Sequence, residues 1–348
     1  MNFLTGSSGN SWQPVVTADT TAPSYWFNWR FLFSATWVLM SMVFAFFLIS
    51  KLEGPHGLRR ENRERQKEAP GILYDDEVWK PCLKGTHPAQ LLAFRVVAFF
   101  VLLILLILNV AVNGGGIFYF YTQWTFTLVT IYFGLGSILS LYGCFKYQNM
   151  AGGDGTNNQE FDAEQNSYGG DHRYARNSNA PNGSKHLRTS QGHDVHQIAG
   201  FWGYVFQIIF QMNAGAVILT DCVFWFILVP ILTIKDYNLN FLVIIMHSIN
   251  VVFLLGDTAL NSLRFPWFRI GYFFLWTSVY VIFQWIIHAC ISLWWPYPFL
   301  DLSSPFAPVW YATMAMMHIP CFGIFVLVIK MKHFLFSKLF PESYQGAR

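Results

Sequence analysis

Charged side chains are scarce in this chain: Asp, Glu, Lys and Arg make up 12% of 348 residues, where a soluble globular protein carries about 25%. That scarcity argues against a soluble domain with a charged shell. The small formal net charge, +3, gives no basis for nucleic-acid binding. Cysteines are few and unpaired in spacing. Cys82, Cys144, Cys222, Cys290 and Cys321 form neither a disulfide framework nor a cysteine metal motif, and buried or idle thiols are expected. Residues 1–29 lack both a basic n-region and an apolar h-region, so the first apolar run, Phe31–Ser50, is expected to act as an uncleaved signal anchor. No internal repeat is visible, and extracellular-type cysteine pairs and a receptor-like Asp-Arg-Tyr are missing as well.

Apolar residues are abundant: 54% of the chain is hydrophobic and the mean hydropathy is +0.35. They recur in stretches of about 20 residues, the length a helix needs to cross about 30 Å of hydrocarbon. In lipid a helix satisfies its own backbone hydrogen bonds, so the fold expected is an all-α polytopic transmembrane bundle. Spans are expected near 31–50, 91–112, 121–144, 200–234, 240–260, 268–290 and 307–329, seven in all. The fourth is long, which leaves open a tilted helix or an amphipathic entry segment followed by a span. Segments 1–30, 51–90, 145–199 and 331–348 flank or join these spans.

Seven spans put twenty of the 22 Lys and Arg residues on one side and leave only Arg30 and Lys235 on the other. Basic loops stay in the cytosol, so the N-terminus is expected outside it and the C-terminus inside, in the endoplasmic reticulum or plasma membrane. Trp26, Trp29, Trp124, Trp294 and Trp295 fall near the non-cytosolic interface, as an aromatic belt does. Residues 147–196 are rich in Gly, Asn, Ser and Asp and are expected to form a disordered cytosolic loop. His172, His186, His193 and His196, in or beside it, are read as scattered histidines, not as metal ligands. The sequon at Asn182 faces the cytosol in this topology and is not used.

Polar residues in the spans fall on stripes. At about 100° per residue, Gln123, Thr127, Thr130, Gly134 and Ser137 share one face of the third span, and His247, Asn250, Asp257, Thr258 and Asn261 one face of the fifth. Gln207, Gln211 and Asp221 align on the fourth, Thr277, Gln284 and His288 on the sixth, and Tyr311, Met314, His318 and Cys321 on the seventh, where Pro320 is expected to kink the helix. Such stripes commonly hold a bundle together through interhelical hydrogen bonds. The titratable trio His247, His288 and Asp257 favours a functional cavity instead. Counting along the helices puts Thr127 about 9 Å and His247 about 10 Å below the non-cytosolic end, with His288 in the same layer. Asp257 and Asp221 count as deeper, so no hydroxyl–His–Asp triad is expected. A Thr hydroxyl needs a neighbouring base to act as a nucleophile, and a neutral His is the ordinary one.

The segment Met246-His247-Ser248, followed by Trp294-Trp295-Pro296-Tyr297-Pro298-Phe299-Leu300-Asp301, resembles the androgen-induced-protein family of multipass membrane proteins and the related rolling stone proteins. Gln123-Trp124-Thr125-Phe126-Thr127-Leu128 is similar to that family's nucleophile-bearing segment. The resemblance covers roughly residues 91–145 and 200–330, and whole-chain likeness is to plant members without an assigned activity. Animal members are threonine hydrolases of fatty acid esters of hydroxy fatty acids. Carried over by motif, the resemblance implies Thr127 as nucleophile and His247 as base. The polar stripes supply Gln123, Thr130, Asn250, Gln284 and His288 as the cavity lining, with Gln123 or Asn250 as donors to an oxyanion. Membrane lipids are the expected partners, and no cofactor is expected. Two departures stand out. Thr127 follows Trp124 by three positions where the family's Thr follows by four, which leaves Thr125 and Thr130 as substitutes. The first span and the long loop are additional. Rolling stone proteins act in cell fusion, so a non-catalytic transporter, receptor, fusion or scaffold role is the alternative. Haem ligation by His247, His288 or His318 is a third reading.

Overall fold

The computed structural model describes residue 16 and residues 18–53, 71–164, 197–230 and 241–345, with the backbone alone for 151–164. Seven helices are long and apolar enough to cross a membrane: Trp29–Leu52, Pro88–Asn113, Tyr121–Met150, Phe201–Leu228, Phe241–Leu260, Trp267–Cys290 and Ala307–Leu339, spans one to seven below. The chain is a multi-pass α-helical membrane protein. Among the described residues there is no strand beyond isolated bridges.

Local sequence sets the span ends. Asn28 caps span one by accepting from the Phe31 amide, and span two opens on Pro88, whose missing N–H is no loss in a first turn. Gly114, at φ 75°, ends span two in a conformation that a Cβ would strain. Large side chains such as Leu39, Phe46, Ile107 and Ile138 are exposed, as lipid-facing positions must be. The interior is aromatic, with Tyr132 stacked on Phe206 at 4.6 Å and Phe210 edge-on to Phe265 at 5.8 Å.

Two expectations are corrected and one left open, at span four, is resolved. The third helix continues past the span to Glu164, so the loop does not begin at 145; residues 165–196, with His172, His186, His193 and His196, lie outside the described residues. Span four is one continuous helix from Phe201 that widens into a π-helical turn at Phe224–Leu228, while 231–240 lie outside the described residues. Span five is broken: helix Phe241–Met246 stops, His247 and Ser248 form a turn, and a second helix runs Ile249–Leu260.

Residues 71–87 fold back over one end of the bundle, called here the basic end. A short helix, Asp75–Trp79, is fastened by Asp75 to Lys146 at 2.8 Å and by Glu77 to Arg264 at 2.6 Å. The C-terminal segment joins this cap, with Gln345 donating its amide to Cys82 O at 2.9 Å. Three basic residues counted as loop charges are in fact interior. Arg95, Arg269 and Lys332 are all buried, each holding an internal acceptor.

Candidate functional site

The opposite end of the bundle is roofed by the Trp294–Asp301 motif. Trp295 stacks on His288 at 3.7 Å, and its Nε1 donates to the Tyr25 hydroxyl at 3.0 Å. Tyr25 in turn donates to Asp301 Oδ1 at 3.0 Å, which also accepts from the Ser303 amide and hydroxyl. The segment before span one therefore straps the roof down, with Arg30 reaching Ser303 O at 2.7 Å and Thr20 reaching His288 O at 2.8 Å. Tyr25→Phe strands a buried indole donor and one carboxylate contact. It is expected to lower stability by about 1–2 kcal/mol, readable as a lower thermal transition in detergent. A change under 0.5 kcal/mol, roughly the noise of a surface substitution, is the contrary result.

Beneath the roof lies a cavity of about 70 Å³ among spans three to seven. Its walls carry Thr122, Thr220, His247, Thr277, Tyr297 and His318 among apolar side chains. By this measure a water occupies about 10–15 Å³, so the space holds an ester group and adjoining methylenes while longer tails remain in lipid. A second cavity of about 50 Å³, toward Trp37 and Ser41 of span one, shares Thr277 and His318.

Two imidazoles therefore face one space. His247 sits in the break of span five, its ring stacked on Phe224 at 3.6 Å and nearly parallel. Phe224 stands where the regular helix of span four gives way to the π-helical turn. His247 Nδ1 lies 3.7 Å from Asp221 Oδ1, and neither atom has a hydrogen-bond partner. The depth count that set Asp221 below this layer took span four to end at 234. The helix continues through Val229 and Pro230, and the 3.7 Å approach itself sets Asp221 level with His247.

The second imidazole is engaged. His318 Nδ1 is 2.8 Å from Met314 O, and its Nε2 is 2.8 Å from Thr277 Oγ1. A carbonyl only accepts, so Nδ1 carries the proton and, in a neutral ring, Nε2 accepts from the Thr277 hydroxyl. With that proton used, the Tyr121 hydroxyl at 2.9 Å donates to Thr277 Oγ1. Phe273 and Phe274 flank the ring at 4.3 and 4.7 Å and leave it one orientation. A signal for this pairing exists in the sequence. Thr277 lies thirteen residues before Cys290 and His318 eleven after Ala307, which are similar depths of about 17–20 Å.

The other expected site residues are placed differently. Thr127 is not among the residues lining the cavity, and its hydroxyl is buried without a partner. It shares a face with Gly134, whose missing Cβ meets the Phe99 ring of span two, and lies next to the exposed Ile131. Phe133, which packs on Phe253 of span five, lies on a different face. His247 thus borders the cavity and Thr127 does not. Thr130 donates to Phe126 O in its own helix at 2.9 Å, and Thr125 lies against Thr220 at 3.4 Å. Gln284 donates to Tyr119 O at 2.8 Å. His288 sets Nδ1 2.7 Å from Gln284 O, which makes it a support for the roof. Gln123 Oε1 and Asn250 Nδ2 are buried without partners outside the cavity lining. Asp257 is deep and paired with Arg95 at 2.7 Å.

Among the described residues no three His, Cys, Asp or Glu side chains converge as a metal site. Comparison with protein-family models, with curated proteins and with solved structures yields no match.

Proposed function

We infer that the roofed cavity is a site of lipid carboxylic-ester hydrolysis inside the membrane, with the basic end of the bundle in the cytosol. The observation that carries this reading is His247 on the cavity wall, with Asp221 3.7 Å behind it. Buried ionisable groups inside membrane spans are costly and mark functional sites more often than scaffolding. The resemblance of the His247 and Trp294–Asp301 segments to hydrolases of hydroxy-fatty-acid esters supports the same chemistry. A proton carried by His247 or Asp221 is delivered to the alcohol oxygen as the ester C–O bond breaks. Esters whose alcohol is a poor leaving group depend on such an acid, and the contribution of one is about 100- to 10,000-fold.

Full-length protein in lipid nanodiscs is expected to hydrolyse a branched fatty ester of a hydroxy fatty acid. His247→Ala and Asp221→Asn each lower that rate by about 100-fold or more, and lower a p-nitrophenyl ester, whose leaving group needs no proton, far less. Thr127→Ala, outside the cavity, changes the rate less than about twofold, the scale of a remote surface substitution. Wild-type protein inert towards every long-chain ester tried sinks the reading. A large loss in Thr127→Ala with none in Asp221→Asn restores the pairing expected from the sequence.

A transporter reading competes on one observation. The cavity lies towards one end, whereas the basic end is closed by the cap and by the buried Arg95–Asp257 pair. Net flux of a labelled fatty acid across proteoliposomes, without ester cleavage, would favour it.

A further inference from the structure

We propose that Thr277 is the nucleophile of this cavity and His318 its general base, an assignment that rests on the ester-hydrolysis reading above. The requirements for an activated hydroxyl are geometric. A base must lie within hydrogen-bond reach, and a third group must orient it. The His318 ring meets both, with Nε2 2.8 Å from Thr277 Oγ1 and Nδ1 2.8 Å from the Met314 carbonyl. His247 offers no such contact to a hydroxyl, since its Nδ1 is without a partner. Thr277 and His318 border both cavities, so an acyl group carried on Thr277 has room on either side of span six. The Tyr121 hydroxyl, 2.9 Å from Thr277 Oγ1, is the nearest donor for an oxyanion forming on the acyl carbon.

The steps balance without an oxidant or reductant. Thr277 Oγ attacks the acyl carbon while its proton passes to His318 Nε2. The C–O bond to the alcohol breaks, and the leaving oxygen takes its proton from the Asp221–His247 pair. Water then attacks the acyl-threonine, giving its proton to His247, and Thr277 Oγ leaves with the proton held on His318. Both imidazoles return to their starting state, which gives each pair in the cavity a separate task.

A chain of three hydrogen bonds also serves simply to satisfy buried polar atoms, and the experiment separates that role from chemistry. Full-length protein in nanodiscs is treated with a long-chain alkyl fluorophosphonate, which forms an Oγ–P bond with loss of fluoride only at an activated hydroxyl. Peptide mapping is expected to place the adduct on Thr277. Thr277→Val, of nearly equal shape, and His318→Gln abolish labelling and lower ester turnover at least ~100-fold, whereas Thr277→Ser keeps both. Wild-type protein that hydrolyses esters but carries the adduct elsewhere, or Thr277→Val protein that keeps full turnover, overturns this assignment and leaves the hydrolase reading standing. Wild-type protein that shows no turnover and no labelling overturns the hydrolase reading itself, and this assignment with it. Loss of labelling in Thr277→Ser as well would show that the side chain acts through packing, and would also overturn the assignment.

Discussion

Replacing Asp257 with Ala is expected to cost about 3–5 kcal/mol of stability, because it strands a guanidinium inside the bundle. Arg95 and Asp257 are both fully buried, joined at 2.7 Å between spans two and five. The carboxylate also accepts from the Tyr132 hydroxyl of span three and from Asn261 Nδ2 at 2.8 Å. Arg95 extends the network by donating to Ser140 Oγ at 2.7 Å and to Val78 O of the cap at 2.9 Å, with the Phe206 ring 4.8 Å from its guanidinium carbon. Lys332 of span seven closes it by donating to Asn261 O at 2.5 Å. Spans two, three and five thus meet at one carboxylate, and span seven and the cap are tied to its partners Asn261 and Arg95. Removing both charges together, as Arg95→Met with Asp257→Leu, is expected to cost less than Asp257→Ala alone, since no unpaired ion is left. Graded unfolding from mild detergent into dodecyl sulfate measures each variant. A loss below about 1 kcal/mol for Asp257→Ala would mean that water already reaches the pair.

That network shows where reading the sequence stops. Hydropathy and length place all seven spans, since lipid imposes both on any helix that crosses it; their first residues agree within three, while the third and seventh helices run on to Met150 and Leu339, past the expected 144 and 329. Partnership between helices is a different kind of information. Arg95 looks like one more flanking positive charge until Pro88, rather than Leu91, proves to open span two and sets Arg95 two turns inside. Asp221 looks too deep for His247, yet the two side chains lie 3.7 Å apart between spans four and five. His247 looks like a residue within a helix, yet span five breaks at it. In the sixth and seventh spans the polar stripes were legible, and Thr277 and His318 lie on them, but a stripe names a face without naming its neighbour. Thr127 illustrates the same limit from the other side: chosen for residue type and depth, it is absent from the lining of the cavity that His247 borders.

Gly143 supports the second large prediction. A Cβ built there falls 2.2 Å from Cγ of Trp79 and 2.5 Å from its Cβ, so any larger residue must displace the indole. Trp79 is buried and ends the short cap helix, and it has little freedom to yield. On either side of it the cap is tied down, by Asp75 to Lys146 and by the Cys82 amide to Leu260 O at 2.9 Å. Gly143→Val is therefore expected to unseat the cap, at a cost in the upper range of overpacking, about 3 kcal/mol or more. Trp79→Ala alone leaves a hole and costs about 3–5 kcal/mol. Combined, the two substitutions are expected to cost clearly less than their sum, because the valine then occupies space that the indole has vacated. Gly323→Ala is the matched control: its Cβ meets nothing within 4 Å, and the change should stay within about 1 kcal/mol. Limited proteolysis within residues 71–87 reads out the cap directly. Gly143→Val protein cleaved there no faster than wild type would show that the third helix shifts to accommodate the side chain, and that the cap's seat does not depend on this glycine.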